Sequence, residues 1–170
     1  AFHAAGEAEV VPMLTLIAMG KLKERFYLDA SAEYVKRLGA FGEFRLIELP
    51  EARLPDDPSP AQIAAGLAAE AALIRAKLPK GAWFCVFTPE GKLLSSEALA
   101  QTLGNVRLNG KSNAVFLIGS SFGIDPGIKA QADFRLSVSP MTFPHHLMRV
   151  MALEQLYRAE SILAGTRYHK

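Results

Sequence analysis

The sequence contains a single cysteine, Cys85. One thiol excludes a disulfide framework and a cysteine-rich metal site. Its neighbours Ala82, Trp83, Phe84, Val86 and Phe87 are apolar, which points to a buried, inert thiol rather than a nucleophile and fits a reducing, cytoplasmic setting. Long hydrophobic runs are also missing. No stretch approaches the length of a membrane span, and the N-terminal AFHAAGEAEVVP has neither the basic start nor the apolar core of a signal peptide. Charge of one sign is scarce: 21% of residues are charged and the net charge is +2. That balance excludes a protein that grips nucleic acid by charge alone, so any polyanion contact must come from local clusters. Neither a GxGxxG fingerprint after the first strand nor a GxxxxGK[ST] motif occurs, which removes the dinucleotide-binding and P-loop readings. Internal repeats and low-complexity linkers are absent as well.

What remains is a chain of 170 residues, half of them hydrophobic, enough for one compact core. Periodicity begins at Met13, so a single domain is expected over 13–170, with 1–12 an expression scar or non-structural extension. Met13 to Met19 is a continuous apolar run closed by Gly20, as in a strand covered on both faces. Lys21 to Leu38 carries Leu22, Phe26, Tyr34 and Leu38 at helical spacing and stops at Gly39. Phe44 to Leu49 reads as a strand, and Pro50 to Pro60, with four prolines, as a loop. Ser59-Pro60 starts an alanine-rich helix to Leu78. Trp83 to Thr88 is a third strand ended by a turn at Pro89-Glu90-Gly91, and Ser95 caps a helix to about Leu108. Ala114 to Ile118 is a fourth strand, Asp125-Pro126 opens a short helix, Phe134 to Val138 is a fifth strand, and Pro144 precedes a last helix. Alternation of this kind predicts an α/β fold with a mostly parallel sheet flanked by helices.

Two loops in the last third open at strand ends. Val115 to Ile118 empties into Gly119-Ser120-Ser121-Phe122-Gly123, and Phe134 to Val138 empties into Ser139-Pro140-Met141-Thr142-Phe143-Pro144. In an open parallel sheet such positions hold ligands, beside backbone N–H groups and helix starts. The proline-bracketed loop suits the edge of a purine. His145 and His146 begin the last helix, but no third ligand has metal spacing, so no metal is expected and His145 reads as a structural or pocket-lining residue. On a wheel of about 100° per residue, Leu147, Val150, Met151, Leu153, Leu156 and Ile162 surround most of that helix. Burial on two sides is expected, one by the sheet and one by a second copy in a homodimer. Glu154 and Arg158 form a favourable i,i+4 pair. Arg149, among apolar residues, is either a buried ion-pair partner or an anchor for phosphate or substrate. Arg167-Tyr168-His169-Lys170 reads, unaided, as a frayed terminus.

IGSSFG, SVSPMTFPHHLMRVMALEQLYRA and the terminal YHK, with MLTLIAMGKLKERF, EYVKRLG, IELPE and EGKLLSSEALA upstream, resemble the RlmH (YbeA-type) branch of the SPOUT methyltransferases. That branch methylates N3 of a pseudouridine in 23S rRNA of the large ribosomal subunit. The resemblance implies a C-terminal trefoil knot, a homodimer and S-adenosyl-L-methionine as methyl donor. Its cofactor site falls here on Phe87, Gly119, Val138, Ser139, Pro140, Met141, Thr142 and Phe143. This sequence departs from the common pattern at Ser120, where a second glycine is frequent, and at Phe87, where an aliphatic is usual. In the family the Tyr-His-basic tail lies near the methyl donor, across the dimer. It therefore gives Tyr168 and His169 catalytic candidacy, with Arg149 beside them: His169 as the base for the N3 proton, Tyr168 as its positioner. Lys21, Lys23 and Arg25 leave the first strand together and, with Arg149, Arg167 and Lys170, are candidates to track RNA phosphates. The ribosome's shape is expected to supply much of the recognition. A SPOUT enzyme of another RNA and a non-catalytic ribosome-binding or assembly factor remain the alternatives.

Overall fold

A computed structural model describes residues 13–170; the segment 1–12, expected as a scar or extension, lies outside the described residues. Five strands, β1 (Met13–Met19), β2 (Glu43–Leu49), β3 (Trp83–Leu93), β4 (Asn113–Ile118) and β5 (Phe134–Ser137), form one sheet in the order β2-β1-β4-β3-β5. Every neighbouring pair is parallel. Helices α1 (Arg25–Leu38), α2 (Pro60–Lys77), α3 (Ser96–Leu108), α4 (Pro126–Gln131) and α5 (His145–Ala164) complete the chain.

Alternation along the central strands assigns the helices to faces, because successive side chains point to opposite sides of a strand. Leu14, Leu16 and Phe116 pack with Leu38 of α1, Leu103 of α3 and Leu153 and Leu156 of α5. Ile17, Met19, Val115 and Leu117 pack with Ala71 and Ile74 of α2 and Ile128 of α4. The result is three layers, with α1, α3 and α5 on one face and α2 and α4 on the other, so the inner strands read as unbroken apolar runs.

The helix starts follow their capping chemistry. Ser59 and Gln62 form a reciprocal capping box, Ser95 accepts from the N–H of Ala98, and Asp125 accepts from the N–H of Gly127 ahead of Pro126. Two boundaries depart from expectation by more than one residue. Helix α1 starts at Arg25, not Lys21, leaving Lys21 to Glu24 as a connection across the top of the sheet. Strand β3 does not end at Pro89 but runs to Leu93. Phe87 and Lys92 both pair with Leu136, so residues 88–91 bulge out between two registers of the same ladder. Gly91 makes this possible: a Cβ there would lie 2.8 Å from backbone atoms of Arg135 and Leu136.

Helix α5 is covered by α1 and α3 as well as by the sheet. Met148, Arg149, Ala152, Leu153, Leu156 and Ala159 are buried within the chain, while Leu147, Val150 and Met151 are half-buried. The chain's own helices thus account for much of the apolar circumference assigned above to a sheet and a second copy. No helix among the described residues is long and apolar enough to cross a membrane.

Candidate active site at the carboxyl edge of the sheet

The carboxyl ends of β3, β4 and β5 enclose a cavity of about 530 Å³, within the size range of small-molecule sites. Phe87 and the bulge residues Thr88, Pro89 and Glu90 form one wall, and Gly119 to Ser121 with Gly123 form another. Ser137 to Ser139 and Met141 to Pro144 form the third, and His145 and Met148 close it from α5. Most of the residues assigned to a cofactor site line this cavity together; Pro140 is exposed and does not.

The glycine loop is tight for a steric reason. A Cβ on Gly119 would lie 2.5 Å from the carbonyl oxygen of Gly123 and from Cγ1 of Ile124. The loop closes on itself through the N–H of Gly123 donating to the carbonyl of Ser120 at 2.9 Å. Beneath it, Ser120 Oγ donates to Glu70 Oε1 at 2.6 Å. Glu70 is 5% exposed and its Oε2 has no partner among the described residues. Burial raises the Glu70 carboxyl above the usual carboxylate range, against the lowering effect of the Ser120 hydrogen bond. The second loop is braced by its own serines: Ser137 Oγ donates to the Ser139 carbonyl at 2.8 Å, and the N–H of Met141 donates to Ser139 Oγ at 3.0 Å.

Charge is placed unevenly around the cavity. Glu90 lies 2.6 Å from Lys129 Nζ. The hydrogen bond from Lys129 holds its carboxyl down at about 2. His145 Nε2 lies 2.9 Å from Glu51 Oε1, within ion-pair reach although the angles form no hydrogen bond. Burial lowers the His145 pKa, with Glu51 opposing it, so this pocket wall favours the neutral ring.

Arg149, one of the catalytic candidates, does not line the cavity. It is 1% exposed, with Nη1 2.5 Å from Glu48 Oε2 and Nη2 donating to the Gly20 carbonyl at 2.9 Å. Its geometry is that of the ion-pair alternative, tying α5 to the ends of β1 and β2. The tail is ordered against the body instead of frayed. Tyr168 Oη donates to Glu154 Oε1 at 3.0 Å, and its hydroxyl is pushed up to about 12, first by burial. His169 Nε2 lies 2.7 Å from Glu97 Oε1, and Nδ1 lies 3.2 Å from Arg158 Nη1. Neither Tyr168 nor His169 lines the first cavity. Glu154, which anchors the tail, lines a second cavity of about 500 Å³ that shares Phe87, Leu136, Ser137 and Val138 with the first. Lys21 and Lys23 are exposed at the same edge of the sheet, Arg25 pairs with Asp29 at 3.0 Å, and Arg167 and Lys170 are exposed beside the tail.

The sequence reading missed Glu70, and a signal for it existed. Ile63, Gly66, Glu70 and Ile74 recur at three- and four-residue spacing, so the only acid of α2 lies on its inward stripe. Glu90 and Lys129 were missed because Pro89-Glu90-Gly91 reads as an ordinary turn.

A family model described as a predicted SPOUT methyltransferase matches residues 13–169. The ribosomal RNA large subunit methyltransferase H of Moorella thermoacetica is 42% identical over 157 residues, covering 92% of this chain and 98% of that protein. Among solved structures, a tRNA methyltransferase from Aquifex aeolicus matches with a TM-score of 0.53 at 13% identity, over 94% of this chain and 73% of that one. A probable methylase family protein from Haemophilus influenzae matches with a TM-score of 0.51 at 12% identity, over 94% and 69%. At those identities the structures support the architecture alone. A family match over nearly the whole chain, together with a two-fifths identical relative of the same length, shows that the chain belongs to the SPOUT methyltransferases.

Proposed function

We propose that this chain is an S-adenosyl-L-methionine-dependent methyltransferase that acts as a homodimer on N3 of a pseudouridine in 23S rRNA of the large subunit. The observation that carries the reading is the cavity between the glycine loop and the loop before α5, in a chain 42% identical to an rRNA large subunit methyltransferase. The residues present fit the cofactor. Apolar walls from Phe87, Ile118, Leu136 and Phe143 suit an adenine face and a methionine chain, and Thr88, Ser137 and Ser139 offer polar contacts. The trefoil knot belongs to this reading through the family.

When bound, the cofactor supplies an electrophilic methyl group, which an attacking nitrogen takes in line with the departing sulfur. The chain's part is alignment and a proton acceptor. The glycine loop, held from below by Glu70, and the serine-braced loop fix one partner. His169 accepts the N3 proton and Tyr168 holds the base or the substrate in place. Because the tail reaches only the rim of the second cavity in its own chain, the reading brings His169 to the methyl donor from the other copy of the dimer. Half-buried Val150 and Met151 on that cavity, with exposed Leu93 next to its lining residue Leu94 and exposed Met141 three residues after its lining residue Val138, support an apolar contact between copies.

The test is transfer of labelled methyl from S-adenosyl-L-methionine to assembled ribosomes, free large-subunit rRNA and bulk tRNA in parallel. Label in ribosomal RNA is expected. Label confined to tRNA would replace the substrate, and cofactor binding without transfer would favour a non-catalytic role at the ribosome.

A further inference from the structure

Phenylalanine is kept from water where folding allows, and among the described residues only Phe26 and Phe122 are exposed phenylalanines, at 65% and 46%. Both stand at the edge of the sheet where the cavity opens. Phe26 follows β1 in the first turn of α1, Phe122 follows β4 in the glycine loop, and these strands are paired neighbours with Ala18 opposite Ile118. Each ring is tied to the cavity. Phe122 lies between Ser121 and Gly123, which both line it. Phe26 connects through ring contacts: 4.4 Å to Tyr27, then 6.2 Å from Tyr27 to His146, then 4.2 Å from His146 to the cavity residue His145. On the same connection Lys21 and Lys23 are exposed and make no ion pair among the described residues.

An RNA duplex hides the faces of its bases, so an exposed ring is useful only to a base turned out of the stack. Two such rings beside a cavity, with unpaired cations between strand and ring, match an unstacked RNA segment: rings for bases, lysines for phosphates. The free lysines favour a polyanion over a second copy of a chain whose net charge is already +2.

We infer that Phe26 and Phe122 stack on unpaired nucleotides flanking the target. This rests on the rRNA methyltransferase reading above. The experiment is steady-state methylation of ribosomes by the full chain carrying Phe26→Leu, Phe122→Leu, Phe26→Trp or Phe122→Trp, with cofactor affinity and sedimentation measured on each. Each leucine variant is expected to raise the KM for ribosomes by roughly 5- to 150-fold, the range for losing one stacked base, with cofactor affinity unchanged. The tryptophan variants are expected to restore it, because tryptophan stacks and leucine only fills space. Leucine variants with normal KM, or variants whose main change is in oligomeric state, would overturn the inference. Absence of rRNA methylation by the unaltered protein would overturn the parent reading, and this inference with it.

Discussion

Replacing Gly119 by alanine tests the site at its tightest point. The new methyl would lie 2.5 Å from the carbonyl oxygen of Gly123 and from Cγ1 of Ile124, where ordinary contacts begin at 3.4 Å. Neither obstacle is the free end of a flexible side chain: one is backbone, and Ile124 is 6% exposed in the α2 and α4 core. The loop must therefore open by about 1 Å in a close-packed setting. Overpacking of that size costs about 1–3 kcal/mol, and losing the bond from the Gly123 N–H to the Ser120 carbonyl adds about 1 kcal/mol. Because the strain is released in the wall of the cavity, cofactor affinity should fall by about ten-fold or more, each 1.4 kcal/mol being a factor of ten. Urea denaturation reads the first quantity and isothermal titration with S-adenosyl-L-methionine the second. Gly110→Ala is the control: Gly110 has a positive φ, +86°, so alanine is strained there through the backbone, but nothing lies within 4 Å of its Cβ position and it sits at the other end of β4. It should lose stability without losing affinity. A Gly119→Ala protein that binds cofactor like the unaltered chain would refute the placement of the site.

Three further outcomes follow from the geometry. Arg149→Met should lower stability by about 2–3 kcal/mol, since it strands the Gly20 carbonyl while the partly exposed Glu48 rehydrates, with cofactor affinity intact by titration; normal stability with lost rRNA methylation would instead make Arg149 a substrate anchor. His169→Ala should lower kcat about 100-fold or more without changing cofactor affinity, and a full rate would remove His169 as the base. His145 has a folded-state pKa below its unfolded value of about 6.5, so the unfolded chain binds the extra proton first and stability should fall as pH drops below about 6.5, levelling off once the folded ring is also protonated. His145→Gln should flatten that part of a pH series of denaturant midpoints, and an unchanged slope would assign it to other groups.

The local rules in the sequence carried far. Strand runs, Ser59, Ser95 and Asp125 as caps, and the two loops at strand ends all follow from side-chain periodicity and turn chemistry, which act over a few residues. What was illegible depended on distant partners. Pro89-Glu90-Gly91 reads as a turn, and only β5 lying alongside turns it into a bulge within a continuing strand. Arg149 had two readings until Glu48, 101 residues away, took its guanidinium. Glu70 belongs to the loop at Ser120, 50 residues on. The tail's tie to Glu154 and Glu97 was equally invisible, since a terminal segment has no periodicity to signal its docking.

The most direct measurement is mass-spectrometric mapping of the methyl group after the purified protein and S-adenosyl-L-methionine are incubated with two ribosome preparations, one with its large-subunit pseudouridines and one lacking them. The account predicts 3-methylpseudouridine at one position of 23S rRNA in the first preparation and no transfer to the second. Equal methylation of both, or a methyl group on any atom other than N3, would contradict it.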